Sequence, residues 1–431
     1  MSRLLFATFP VTGHVNPGLP IARELVARGH EVRWYTTARF RRAVEAAGAH
    51  YIPFRRARQI DETRLGEMFG DRPAAGIRQL QFDIEHLFID LTRGMVMDLE
   101  EELAHGGDAD VIVGDSSSVA ARYVHERSGI PWAVYGVSPL ALPGPDVAPF
   151  GLGLLPSATT LGRLRNRGLQ WLVDHVIFRA ATNANHLLRR DLALPRLRGS
   201  IFDFARPAGL YLHGTVPSFE YPRRDLPRNL HFVGAAIPHA PCDWKPPAWW
   251  PELHSRRVVL VTQGTINNDY DQLVRPAIRA LAKEDVLVVV TTGSRPPEDI
   301  GMALPANVRV ERFIPYAELM PKVDALLTNG GYGTVQIALA HGVPVVAIGR
   351  TEEKPEICNR VTWAGVGIGI KTIVPSEERV RVAVTKVLND PIYRARASAV
   401  AREMSGRDYA RSSAHLIAQL AADDEELEQI A

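Results

Sequence analysis

An alternation of apolar strand-like and amphipathic helix-like stretches runs twice along this chain, and it restricts the fold more than any other feature. In the first half, Arg3 to Phe9, Glu31 to Thr36, Ala49 to Pro53, Asp110 to Gly114 and Trp132 to Gly136 read as strands. Helical periodicity fills Leu19 to Arg28, Arg39 to Ala47, much of Gln79 to Ala104, Ser118 to Ser128 and Leu161 to Arg190. The rhythm restarts with strands at Arg257 to Thr262, Val286 to Thr291, Val308 to Arg312, Val323 to Leu327, Val343 to Ile348 and Gly367 to Ile370. Such alternation predicts parallel, doubly wound sheets. The expected fold is α/β, with two Rossmann-like domains facing across a cleft. The boundaries read as 1–217 and 257–408, with 218–256 as a linker rich in proline and carrying Trp244, Trp249 and Trp250. Residues 409–431 form a last helix and an acidic tail, Asp423-Asp424-Glu425-Glu426, placed to pack back on the first domain.

A length of 431 residues suits two domains, and 46% hydrophobic residues supply two cores. With 50 Lys and Arg against 48 Asp and Glu, nothing pulls the chain toward nucleic acid or an anionic membrane. Two cysteines, Cys242 and Cys358, make neither a disulfide framework nor a metal site, and a cytoplasmic setting is expected. The apolar start is too short for a signal peptide. The weakly polar region Trp132 to Pro156 is broken by prolines, glycines and Asp146, so a pocket-lining loop is expected there rather than a membrane span. Oligomeric state stays open between monomer and homodimer.

Candidate chemistry sits where strands end. Thr328-Asn329-Gly330-Gly331-Tyr332-Gly333-Thr334 lies between an apolar run and a helix expected over Val335 to His341. Glycines there let backbone N–H groups approach a ligand, and a helix start attracts anions. Gln263-Gly264-Thr265 follows the first strand of the second half and is placed to grip the same diphosphate. His14 lies in the stretch Pro10 to Gly18, which reads as a loop, and Asp115 follows a strand. An imidazole oriented by a carboxylate is a general base. The alternatives are a turn histidine and a helix N-cap aspartate. His30, at a helix end, reads as structural. Asp108-Ala109-Asp110 and Asp269-Tyr270-Asp271 read as caps or turns rather than metal ligands. Ser116-Ser117-Ser118 lacks a nucleophile elbow, and Gly13 to Gly18 lacks the dinucleotide fingerprint.

Taken together, Gly13-His14-Val15-Asn16-Pro17, Phe232-Val233-Gly234, Arg312-Phe313-Ile314-Pro315 and Thr328 to Thr334 with Gly342-Val343-Pro344 resemble the UDP-glycosyltransferase superfamily, over nearly the whole chain. The nearest likeness is to bacterial enzymes that modify macrolides, polyketides and aromatic natural products. The resemblance implies the GT-B fold and inverting transfer from a nucleotide sugar, UDP-glucose first, with no metal or other cofactor. His14 would deprotonate the acceptor hydroxyl and Asp115 would steady it. Gly13, Gly264, Thr265, Ile314, Asn329, Gly330, Gly331, Gly333, Thr334, Glu353 and Lys354 would hold the donor. The acceptor, a hydrophobic hydroxyl compound, would lie against Phe82, His86, Leu140 and Phe150. Two positions depart from the family pattern. Asn329 replaces the usual histidine and is expected to give its side-chain N–H to a phosphate. Glu353-Lys354 replaces the usual Asp-Gln beneath the sugar, which opens a thymidine-diphosphate sugar as a second donor. An epimerase and a non-catalytic homologue are the remaining rivals.

Overall fold

The computed structural model describes residues 1–73, 77–238, 243–264, 269–293 and 295–430. Cys242 and Thr265 lie outside the described residues, as do the side chains of the acidic tail. The first sheet contains β1 (Arg3–Ala7), β2 (Glu31–Thr36), β3 (His50–Pro53), β4 (Val111–Asp115), β5 (Trp132–Gly136), β6 (Leu210–His213) and β7 (Leu230–Phe232). Its order is β3-β2-β1-β4-β5-β6-β7, with every pair parallel. The second contains β8 (Val258–Thr262), β9 (Leu287–Thr291), β10 (Val308–Glu311), β11 (Ala325–Thr328), β12 (Val345–Ile348) and β13 (Gly367–Ile370). Its order is β10-β9-β8-β11-β12-β13, again parallel throughout.

Parallel strands joined by helices are covered on both faces, so their residues are apolar without a break. Along β1, Leu4 and Phe6 enter one core while Leu5 and Ala7 enter the opposite one. Val258 and Leu260 of β8 likewise face away from Val259 and Val261. The chain then returns: in the last helix, Tyr409–Ile430, Tyr409, Ala414, Ile417 and Ala421 pack into the first-domain core with Leu4, Phe6 and Leu25. Among the described residues no helix is long and apolar enough to cross a membrane.

Two expectations need correction. The first sheet does not stop at residue 217, because β7 is its edge strand. That strand is three residues long, half exposed and preceded by Pro222 and Pro227, so it carries almost no apolar signal. Pro10 to Gly18 is not a loop either. A helix spans Thr12–Ala27 and contains both Pro17 and Pro20. Gly18 belongs to it for lack of room: a Cβ there would lie 2.8 Å from Trp34 Cη2 and from the Tyr135 hydroxyl.

Buried charge joins the two halves. Arg360, on the helix Lys354–Trp363, pairs with Glu220 of the first domain at 2.7 Å and with Glu356 at 3.2 Å, and stacks on Tyr221. Burial alone would raise the Glu220 carboxyl, but Arg360 and His213 hold it down at about 2. That share of stability is therefore complete above the ordinary glutamate value and is lost as pH falls toward about 2. Arg360→Met leaves Glu220 and Glu356 buried without their cation, at a cost of about 3–5 kcal/mol near neutral pH. Burial, which already raises Glu356, then lifts it further and lifts Glu220 against His213 alone, so part of the loss should return at about pH 5. Thermal unfolding at the two pH values checks this, and an equal deficit at both would contradict it.

Candidate active site

β1 and β4 are neighbours, with Ala7 opposite Gly114, so the segments after them emerge side by side. Asp115 ends β4 and is fully buried. Its Oδ2 accepts from Phe9 N at 2.6 Å, and its Oδ1 accepts from Ser117 N at 2.8 Å. His14 Nδ1 lies 2.7 Å from Oδ1. Since an ionised carboxylate only accepts, Nδ1 carries the proton and Nε2 keeps its lone pair. The side chain is 19% exposed. Phe9 packs its ring against the imidazole at 5.3 Å, and Tyr135 donates to the His14 carbonyl at 2.7 Å. The structure thus brings His14 and Asp115 together, but His14 stands in the first helical turn rather than in a loop. Gly13, beside it, is exposed with open space above its α-carbon.

The second domain repeats the arrangement. β8 and β11 are adjacent, and Asn329 after β11 donates its side-chain N–H to the carbonyl of Gln263 after β8. One side-chain N–H of Asn329 is thus engaged within the protein, while its Oδ1 is buried without a partner. Gly264 and Gly330 have φ of +78° and +86°, a left-handed backbone that favours glycine. Gly331 precedes a helix over Tyr332–Ala340 that has no side-chain cap and no acidic residue in its first turn. Unpaired N–H groups at such an end suit an anion. Gly333 and Thr334 stand in that turn, Gly333 exposed and Thr334 half-buried. Ile314 differs from these, since its side chain is buried in the second core with Leu319 and Met320.

Glu353 and Lys354 diverge. Lys354 is buried, and its ammonium meets Glu352 at 2.8 Å, the pairing that competes with any sugar contact. Its stem packs over Gly330 and Gly349. Burial raises the Glu353 carboxyl, Glu352 adds to the rise, and Lys354 opposes it.

The residues expected at the acceptor fall into two groups. Phe82 and His86 pack together at 4.3 Å, and His86 pairs with Asp90 at 2.8 Å. Phe82 precedes and His86 lies within a π-helical turn, Ile84–Ile89, whose Phe88 stacks at 4.5 Å on Phe9, the ring that packs against His14. Phe88 closes the segment Phe82 to Phe88 expected at the acceptor, whereas Phe9 reads in the sequence as the end of a buried strand. Leu140 and Phe150 instead line a small interdomain cavity with Glu220, Glu356 and Arg360. The other candidates serve structure. His30 accepts from Ser2 N, Asp108 and Asp110 pair with Arg3, and Asp269 caps a short turn while Asp271 pairs with Arg275.

Residues 275–419 match the family of the erythromycin biosynthesis protein CIII-like C-terminal domain. Over 96% of its length the chain is 47% identical to 4'-demethylrebeccamycin synthase of Lentzea aerocolonigenes, covering 99% of that protein. The chain belongs to the UDP-glycosyltransferase superfamily. UDP-glycosyltransferase 2 of Phaeomoniella chlamydospora is 33% identical, with 97% of this chain and 96% of that one covered. The glycotransferase of kitacinnamycin shares the fold, with a TM-score of 0.74, 22% identity, and coverage of 97% and 98%. The two domains are thus the GT-B halves of a glycosyltransferase.

Gly333 gives a clean test of the glycine turn. A Cβ at Gly333 meets nothing within 4 Å in the protein itself, and alanine favours the helix. Gly333→Ala should leave the thermal midpoint unchanged or raised while weakening nucleoside-diphosphate affinity. Titration calorimetry showing wild-type affinity would place the diphosphate elsewhere.

Proposed function

We propose that this glycosyltransferase moves a sugar, with inversion, from a nucleotide sugar to a hydroxyl of a hydrophobic, natural-product-like small molecule. The observation that carries this is the His14 Nδ1 contact of 2.7 Å to a buried, doubly anchored Asp115. His14 Nε2 takes the acceptor proton, and the acceptor oxygen attacks the anomeric carbon from the face opposite the diphosphate. The bond from that carbon to the diphosphate oxygen breaks, and the diphosphate leaves with the electron pair. Asp115 stabilises the imidazolium formed. The glycine turn and the start of the helix Tyr332–Ala340 receive the negative charge without a metal. Phe9 and Phe88 form an apolar wall leading to the base, which suits a flat, poorly soluble acceptor.

His14→Ala should lower kcat by about 10²–10⁴ with nucleotide affinity unchanged. Asp115→Asn should also lower kcat, since the imidazolium loses its charged partner. Near wild-type turnover in His14→Ala would refute the assignment.

UDP-glucose is the first reading of the donor. A thymidine-diphosphate deoxysugar is the second, supported by one observation: Lys354 is occupied by Glu352, so the turn offers the sugar fewer polar groups than an Asp-Gln pair. A panel of both donors against aromatic and macrolide acceptors, read by product mass in EDTA, decides between them. Product from UDP-glucose should form with the chelator present. Product from the deoxysugar alone would overturn the first reading, and activity restored only by added magnesium or manganese would overturn the metal-free one.

A further inference from the structure

The helix that carries His14 begins without a cap of its own. Val11 precedes it with no side-chain bond to the first turn, and that turn holds no acidic residue. The leading N–H groups of a helix need partners. The first of them, on Thr12, is taken from a distant part of the chain: it donates to Glu62 Oε2 at 2.9 Å. The Thr12 hydroxyl donates to the other carboxylate oxygen, and Arg39 Nη1 lies 3.0 Å from that same oxygen. The Glu62 side chain is fully buried, so these contacts replace water around it. Its charge also faces the positive end of a helix, where an anion is favoured.

His14 stands in that same turn. Asp115 holds its ring and Tyr135 its carbonyl, but neither fixes where the turn begins. We propose that Glu62 is a positioning residue that anchors this helix start and keeps His14 Nε2 aimed at the acceptor oxygen. The proposal rests on the reading of His14 as the base. A base displaced by about 1 Å loses as much as about 10²-fold in rate, so a loosened helix start is felt in kcat.

A double-mutant cycle tests it. Glu62→Ala should lower kcat by roughly tenfold with the donor KM unchanged, within the range that lost capping and mispositioning produce. Glu62→Gln keeps an oxygen for the Thr12 N–H and should recover part of the rate. It also carries the cycle if the alanine variant does not fold. In a His14→Ala background, the Glu62 change should have no further effect. An equal loss with and without His14, or a lowered thermal midpoint with kcat intact, would overturn the positioning role. Intact turnover in His14→Ala alone would instead sink the base reading, and the two failures are told apart by which variant shows them.

Discussion

A carboxylate removed from water must find its partners within the chain, and Asp115 meets this requirement with the Phe9 and Ser117 amides and the His14 ring. Those partners converge only because β1 lies beside β4. Parallel strands end on the same edge of a sheet, so Phe9, just past β1, arrives over the last residue of β4. The second domain is built the same way, with Asn329 after β11 reaching Gln263 after β8. Each half thus places its chemistry where the strand order reverses, the crevice in which open α/β sheets bind ligands. One topological rule, applied twice, accounts for both sides of the cleft.

What the sequence made legible follows from that rule. Strands such as Val258–Thr262 and Leu287–Thr291 are buried on both faces, and their unbroken apolar runs announce them. Positions that follow such strands could be picked out as candidates for the same reason, including His14, Asp115 and the glycines at 330, 331 and 333. Long-range demands were not readable. Pro17 and Gly18 look like a turn until Trp34 and Tyr135 are seen pressing on Gly18. Glu62 looks like one charge in an irregular, charged stretch until it meets Thr12. Asn329 gives no local sign that Gln263 takes one of its side-chain N–H groups. In each case the deciding neighbour is far away in the chain, beyond the reach of local pattern.

The proposed base and phosphate site stand on different domains, so their separation is only as well defined as the joint between the halves. That joint is polar and buried. Arg360 links Glu220 to Glu356, Glu220 also meets His213 at 3.1 Å, and Thr215 bonds Gln336 at 2.7 Å. An apolar joint of the same volume would be as stable or more so, since desolvating charges is costly. Charges differ from methyl groups in tolerating few alternative partners. A slide of one half past the other that would merely repack apolar side chains leaves a buried ion unpaired here.

The joint reaches the chemistry on both sides. Tyr332 opens the phosphate-facing helix, and its hydroxyl lies 3.5 Å from His213, the last residue of β6. Gln336 sits one turn further along the same helix. On the other side, Glu220 accepts from Leu140 N, and Glu356 accepts from Gly153 N, so the ends of the loop after β5 are held by the same cluster. The loop expected to line the acceptor pocket is therefore anchored to the second domain at two points. Its placement depends on the registration of the two domains. The helix Tyr332–Ala340, proposed to receive the leaving diphosphate, meets the same cluster through Tyr332 and Gln336, so the proposed sites for both substrates are tied to one set of contacts.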